Sequence, residues 1–344
     1  MKNVLYIGNN LNNKTSNLSG IQTLGPLLEN EGFVMYYASS KSNKILRLLD
    51  MIFTFFKLYK KVDVVLIDTY STQNFYYAFI ISQLCRLVSL DYIPILHGGN
   101  LTFRLKNNPK LSRLIFKNSK YNVSPSLFFK KVFEHAGFTN VIHIPNSIKI
   151  EDYTFTTKNY DVPKLLWVRS FSKIYNPELA VKVFSKVRQK YPNASLCMVG
   201  PDADGSRKAV EKLAQSLNLN IKFTGKLEKK QWINLSKDYN IFINTTNIDN
   251  TPLSVIEAMA LGFPVVSTNV GGLPYLIQHD VEGLLVQPNL VEDMCAAVEL
   301  LFSHSEKREL IIENALKKVK QFNWIHIKSQ WSKALNANSD ENLY

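Results

Sequence analysis

Cysteine is scarce. Three residues, Cys85, Cys197 and Cys295, are spread over 344 positions, with no CxxC pair and no Cys/His cluster. That spacing excludes a disulfide scaffold and a zinc module, and the expectation is three reduced, buried thiols in a cytoplasmic protein. Glycine (14) and proline (13) are not enriched, so no long disordered tract is expected. No uncharged apolar stretch reaches ~18 residues, which excludes a transmembrane helix. The opening MKNVLYIGNN has too short an apolar run for a signal peptide. Acidic residues are few in the first half. Residues 1–150 carry 18 Lys/Arg against 7 Asp/Glu, and residues 151–344 carry 23 against 21. Most of the net charge of +13 therefore sits in the first half. Its partner is expected to be anionic: nucleic acid, a phospholipid surface or a phosphate-bearing acceptor. No RNP-like, zinc-finger or helix-turn-helix signal is present, which argues against nucleic acid.

The length is too great for one ordinary core and suits two domains of roughly 150 residues each. NVLYIGN (3–9) reads as a first strand feeding a polar loop, and 19–32 as a helix capped by Ser19 and ended at Gly32. FVMYYAS, VDVVLIDT, YIPILHGGN, YNVSPS and VIHIPNS follow as strands, with helices at 43–61, 75–90 and 126–137. A polar linker (149–163) precedes a second series of strands, from KLLWVRSF (164–171) to EGLLVQP, again alternating with helices. Strands apolar on both faces that alternate with helices predict parallel sheets. The fold class is α/β, with two Rossmann-like doubly wound domains at 1–150 and 151–322 and an interdomain cleft. Residues 323–344 are expected to cross back to the first domain. Ligands of such sheets bind at the carboxyl ends of the strands.

DNTPLSVIEAMALGFPVVSTNVGG (249–272) lies at such an edge. Strand YNIFINTT delivers the chain to Asp249. Thr251, Pro252 and Leu253 make a tight entry into a helix that begins at Leu253 or Ser254, where free N–H groups can bind phosphate. Glu257 sits one turn inside. A ligand with a diphosphate, a ribose and a sugar would use all of these groups.

This segment resembles the signature of glycosyltransferase family 4, the large retaining GT-B group: Glu, seven residues, Glu, an Ala-Met-Ala-like helix, Gly-x-Pro-Val-Val and Gly-Gly. Similar pieces occur in order at SG (19–20), HGG (97–99), SPS (124–126), IPNS (144–147), LLWVRSF (165–171) and MVGP (198–201), spanning nearly the whole chain. The resemblance implies a retaining, metal-independent transferase without a cofactor. It would move a sugar from a nucleotide-diphosphate donor, UDP- or GDP-linked, to a saccharide acceptor in cell-surface polysaccharide or lipopolysaccharide assembly. It also implies residue roles. Glu257 would bind ribose, and Asp249, standing where the family has Glu, would contact the donor sugar. Backbone amides from Thr251 through Pro252 and Leu253 to Ser254 would hold sugar and diphosphate. Arg169 would neutralise the leaving diphosphate, Gly20 would let backbone approach phosphate, and His97 would face the donor sugar. Donor and acceptor are often drawn on the same face, with the leaving phosphate helping to take the acceptor proton. The sequence departs twice from the pattern. Asp249 is one methylene shorter than Glu, and the family's Lys after the Arg falls at Ile174-Tyr175-Asn176-Pro177, so Lys173 or Tyr175 takes that place.

Each feature also has a plainer reading. Asp249 could be a turn residue, Glu257 a solvated helix residue, His97 a strand-end core histidine and Arg169 half of a structural ion pair. Asp202-Ala-Asp204 resembles the metal-binding DxD of the other nucleotide-sugar fold, but a polar turn is the simpler reading. Residues 43–61 combine aromatics and aliphatics with Lys44, Arg47, Lys57, Lys60 and Lys61. They form either a helix covering the first sheet or a basic amphipathic helix on the inner face of an anionic membrane. Further basic residues at 104–131 favour peripheral attachment, and with it a lipid-linked acceptor. A sugar-nucleotide epimerase of GT-B-like fold is the competing reading. It would alter the nucleotide sugar without releasing nucleotide.

Overall fold

In the computed structural model of the chain, residues 2–11, 19–97 and 100–337 are described. The chain divides into two compact units, Met1–Asn146 with Ile325–Tyr344, and Ser147–Trp324.

The first unit runs β1 (Asn3–Ile7), α1 (Gly20–Asn30), β2 (Val34–Ala38), α2 (Lys44–Leu58), β3 (Val64–Thr69), α3 (Asn74–Leu87), β4 (Asp91–Leu96), α4 (Leu101–Asn107), α5 (Pro109–Phe116), β5 (Asn122–Ser124), α6 (Leu127–His135) and β6 (Val141–His143). The strands form one sheet in the order β2-β1-β3-β4-β5-β6, every pair parallel. β3 is buried along its whole length, as a central strand covered on both faces must be. Met51 and Phe55 from α2 and Ala78 and Ile81 from α3 pack with Leu5, Ile7, Val65 and Ile67. The short helices α4 and α5 are not announced by the strand–helix alternation. Pro109 starts α5, where its missing N–H costs nothing.

The second unit continues β7 (Lys164–Val168), α7 (Pro177–Lys190), β8 (Ser195–Val199), α8 (Ser206–Ser216), β9 (Lys222–Gly225), α9 (Lys229–Ser236), β10 (Ile241–Asn244), α10 (Leu253–Ala260), β11 (Val265–Thr268), α11 (Leu273–Leu276), β12 (Leu284–Val286), α12 (Val291–Ser303) and α13 (Ser305–Val319). Its sheet has the order β12-β11-β10-β7-β8-β9, again all parallel. A last helix, α14 (Trp324–Asn336), groups with the first unit from Ile325 onward. There Lys328 pairs with Glu31 at 3.2 Å and Lys120 Nζ donates to Ala337 O at 2.6 Å.

Both sheets are doubly wound, as the alternation predicts. Their strand orders reverse at β1/β3 and at β7/β10. In open α/β sheets the crevice at such a reversal is where ligands bind. The three cysteines are free and buried. Among the described residues no helix is long and apolar enough to cross a membrane.

Candidate active site

In the second unit the chain leaves β7 at Arg169 and leaves β10 at Thr245, on adjacent strands at the reversal. The loops beyond are tied by buried hydroxyls. Trp167 Nε1 donates to Thr245 Oγ1 at 2.9 Å, and Thr245 Oγ1 donates to Tyr175 O at 2.9 Å. Thr268 Oγ1 donates to Thr246 O at 2.6 Å. The Thr-Thr pair that ends FINTT thus joins three strand ends into one platform.

That platform brings Arg169 and Asp249 together. Arg169 Nη2 donates to Asp249 Oδ2, with both side chains largely buried. Asp249 Oδ1 accepts from the Asn250 amide at 2.9 Å, fixing the carboxylate. The guanidinium lies 4.3 Å over the Tyr175 ring. Burial pulls the Arg169 pKa down, while Tyr175 and Glu257 push it back up; an arginine here stays charged. Its Nε has no hydrogen-bond partner among the described residues.

α10 starts at Leu253 with Pro252 before it. Val255 and Ile256 N–H already donate to Pro252 O, so the amides of Leu253 and Ser254 precede the internal ladder. Ser254 Oγ is buried without a partner among the described residues. A buried cation and a buried hydroxyl with spare donors, beside a helix N-terminus, suit an anion with several acceptor oxygens. Two glycines clamp this loop. The Gly272 amide donates to Asp249 O at 3.0 Å. A Cβ on Gly272 would stand 1.7 Å from Asn250 O, and one on Gly271 2.1 Å from Asp249 O. Gly200 does the same for the arginine: a Cβ there would meet Arg169 O at 1.8 Å.

Glu257, one turn into α10, accepts from Tyr153 OH at 2.5 Å and pairs with Lys229 at 3.5 Å. Burial raises the Glu257 pKa, against the opposing pull of Tyr153, Lys229 and Arg169. Tyr153 lies in the segment 149–163, which reads as a plain polar linker and carries two further aromatics, Phe155 and Tyr160, so nothing in the sequence singles it out. Lys173 opens a short 3-10 turn, and its amide donates to Asp204 Oδ2 at 2.9 Å. The ring against Arg169 is that of Tyr175. Asp202 and Asp204 serve as turn and cap acceptors. Asp202 takes the Gly205 amide at 2.9 Å, and Asp204 takes Ser172 Oγ at 2.9 Å and the Ser206 amide at 3.1 Å. No group of three or more His, Cys, Asp or Glu among the described residues is placed to hold a metal ion.

Gly20 and His97 come together in the first unit, at its own strand reversal. His97 Nε2 lies 2.8 Å from Asp68 Oδ1, and the ring stacks on Tyr70 at 4.9 Å. Tyr6 OH donates to Asp68 Oδ1 at 2.9 Å, and the Ile21 amide donates to Asp68 Oδ2 at 3.1 Å. A Cβ on Gly20 would stand 2.7 Å from His97 Nε2. The amide after Gly20 is thus committed to a buried carboxylate. Asp68 is absent from the residues that the sequence singles out; its signal is a charge inside the apolar run VVLIDT. The HGG motif continues into residues 98 and 99, which lie outside the described residues.

The fold and this site define a class. Sucrose-phosphate synthase from Thermosynechococcus elongatus superposes with a TM-score of 0.83 at 17% identity, over 97% of this chain and 98% of that one. Anabaena HepE, solved with UDP-glucose, superposes at 0.77 and 16% identity, over 97% and 99%. The chain has the GT-B architecture of the glycosyltransferases. Residues 149–318, nearly the whole second unit, match the family model described as glycosyl transferases group 1. The sulfoquinovosyl transferase SQD2 of Arabidopsis thaliana is 30% identical over 151 residues, 43% of this chain and 29% of that protein. The sequence matches span less than half the length of the first curated relatives.

Proposed function

We propose that the protein is a retaining, metal-independent glycosyltransferase that moves a sugar from a UDP- or GDP-sugar to a saccharide acceptor. One observation carries this reading: a buried Arg169–Asp249 pair stands beside the first amides of α10, with Arg169 Nε and Ser254 Oγ unsatisfied among the described residues. The donor diphosphate takes the place of Asp249 as counterion to Arg169, and Ser254 Oγ with the α10 amides supplies the remaining hydrogen bonds. Asp249, released from the arginine, is then free for sugar hydroxyls. Glu257 takes the ribose hydroxyls. The roles implied for Gly20, His97, Thr251, Pro252, Leu253 and Lys173 are retained in the proposal. In the reaction, the bond between the anomeric carbon and the phosphate oxygen breaks as the acceptor oxygen bonds to that carbon on the same face. The acceptor proton passes to the departing phosphate. The relative named for sulfoquinovosyl transfer supports glycosyl transfer, and the neighbour solved with UDP-glucose supports a nucleotide-sugar donor.

The proposed setting is lipid-linked acceptor chemistry in cell-surface polysaccharide or lipopolysaccharide assembly, with peripheral attachment to the inner membrane face through the basic first unit. The test is a panel of nucleotide sugars, following nucleotide release with and without EDTA and titrating UDP and GDP binding. Release from one donor, unaffected by EDTA and lost in Glu257→Ala, supports the reading. A changed nucleotide sugar without released nucleotide would make the protein an epimerase, and failure to bind either nucleotide would leave the pair a structural one.

A further inference from the structure

Helix α2 is apolar on two opposite sides. Met51, Phe55 and Leu58 face the first unit's sheet and are buried. Yet Ile45 (71% exposed), Leu46 (56%), Leu49 (55%), Phe53 (69%) and Phe56 (53%) face away from it. At about 100° per residue these five fall within one arc of roughly 100°, diametrically across from the buried set. A surface helix of a soluble domain normally turns its polar side outward, and a contiguous apolar patch left in water marks an interaction site. Both of the plain readings of residues 43–61, sheet cover and surface binder, are therefore built into one helix.

The surroundings choose the partner. Lys41, Lys57, Lys60 and Lys61 are all exposed at the ends of this helix. The one acid in 43–61, Asp50, accepts from Ser39 Oγ at 2.5 Å and so is committed inward. A second copy of the chain would set two lysine rims against each other. An anionic bilayer takes the same surface without that conflict: apolar side chains enter the acyl boundary and lysines meet headgroups. The other basic segment is less available. Arg104 Nε donates to Ser71 O at 2.6 Å, Lys120 pairs with Asp91 at 3.1 Å and Lys130 with Glu134 at 3.5 Å.

We propose that the outward face of α2 is a membrane-docking surface. It inserts Phe53, Phe56, Ile45 and Leu49 into the interface of an anionic leaflet, with the surrounding lysines as its electrostatic rim. This deepens the peripheral attachment proposed above by assigning it to insertion rather than to charge alone.

The test is flotation of the full chain with phosphatidylcholine vesicles, with and without phosphatidylglycerol, at low and high salt. Three proteins are compared: wild type, Phe53→Ser/Phe56→Ser and Lys57→Gln/Lys60→Gln/Lys61→Gln. All five positions are exposed, so folding is not at stake. The expected result is binding to anionic vesicles that persists in part at high salt. Each serine should weaken it about tenfold, and the glutamine triple should reduce the dependence on phosphatidylglycerol. UDP and GDP binding without vesicles should be the same in all three, which separates this proposal from the donor reading. It is overturned if wild type does not float, if the double serine variant binds like wild type, or if wild type is a dimer that the serines dissociate.

Discussion

Gly272→Ala isolates the clamp on the proposed donor loop. Gly272 has φ −85° and ψ −6°, a conformation that alanine adopts freely, so backbone preference plays no part. Space does. The added Cβ would stand 1.7 Å from Asn250 O and 2.7 Å from its carbonyl carbon. An ordinary contact begins at 3.4 Å, so the Gly272 turn and the Asn250 loop must part by about 1.7 Å. Asp249 precedes Asn250, and its own carbonyl accepts the Gly272 amide, so the carboxylate moves with the loop. Overpacking of this kind costs about 1–3 kcal/mol of stability, while a misplacement near 1 Å at a site costs about 100-fold in rate. The expected outcome is a folded protein with a modestly lower Tm and kcat/KM for the donor reduced about 100-fold or more. Gly137→Ala is the control: φ there is +86°, but nothing lies within 4 Å, so stability falls and donor kinetics do not. Donor kcat/KM for Gly272→Ala within twofold of wild type would refute the clamp.

Glu257→Gln keeps the shape and the acceptor for Tyr153 but removes a buried charge. Because burial raises the Glu257 pKa, its stability contribution is full below the unfolded value and is lost as pH rises through the folded one. The variant should therefore melt higher than wild type at pH 7.5, with the gap closing below about pH 4.5, and should bind UDP or GDP at least tenfold more weakly; equal melting at both pH values would contradict the assignment. Tyr153→Phe removes the hydroxyl that orients Glu257, and should raise donor KM about tenfold while changing kcat little; an effect on kcat alone would place Tyr153 elsewhere. Asp204 behaves in the opposite sense to Glu257. Burial alone would raise its pKa, but bonds from Ser206, Lys173 and Ser172 together hold it at about 2. Its contribution is present above 3.8 and lost as pH falls toward 2. Asp204→Asn should lower Tm at pH 7, with the difference vanishing near pH 2 in thermal melts and unaffected by EDTA.

The fold was legible because each signal was local. Runs such as VVLIDT and the stretch FPVVST are short, rich in β-branched residues, apolar on both faces and bounded by polar turns, as covered parallel strands are. Ser19 and Gly32 marked the ends of α1 within their own neighbourhood. The two short helices at 101–116 were not legible, because seven- and eight-residue helices complete too few turns to show a period. Strand order could not be read either. It depends on which crossover passes where, and it alone brings Arg169 and the Asp249 loop to adjacent strand ends.

The candidate site divides along the same line. Asp249, Glu257 and the Gly271-Gly272 pair lie within one 24-residue stretch, and their spacing follows from one strand, one helix and one turn. The residues that orient them come from afar: Tyr153 reaches Glu257 across 104 positions and Arg169 reaches Asp249 across 80. Asp68 shows why such partners escape a reading of sequence. Within VVLIDT it is only a polar residue near a strand end. In the structure it accepts from Tyr6 and Ile21 and holds His97, and Gly8 and Gly20 both need to be glycine because a Cβ on either would strike its carboxylate. Two glycines with no common local motif are thus explained by one buried acid, a constraint that exists only once β1, α1, β3 and the end of β4 meet.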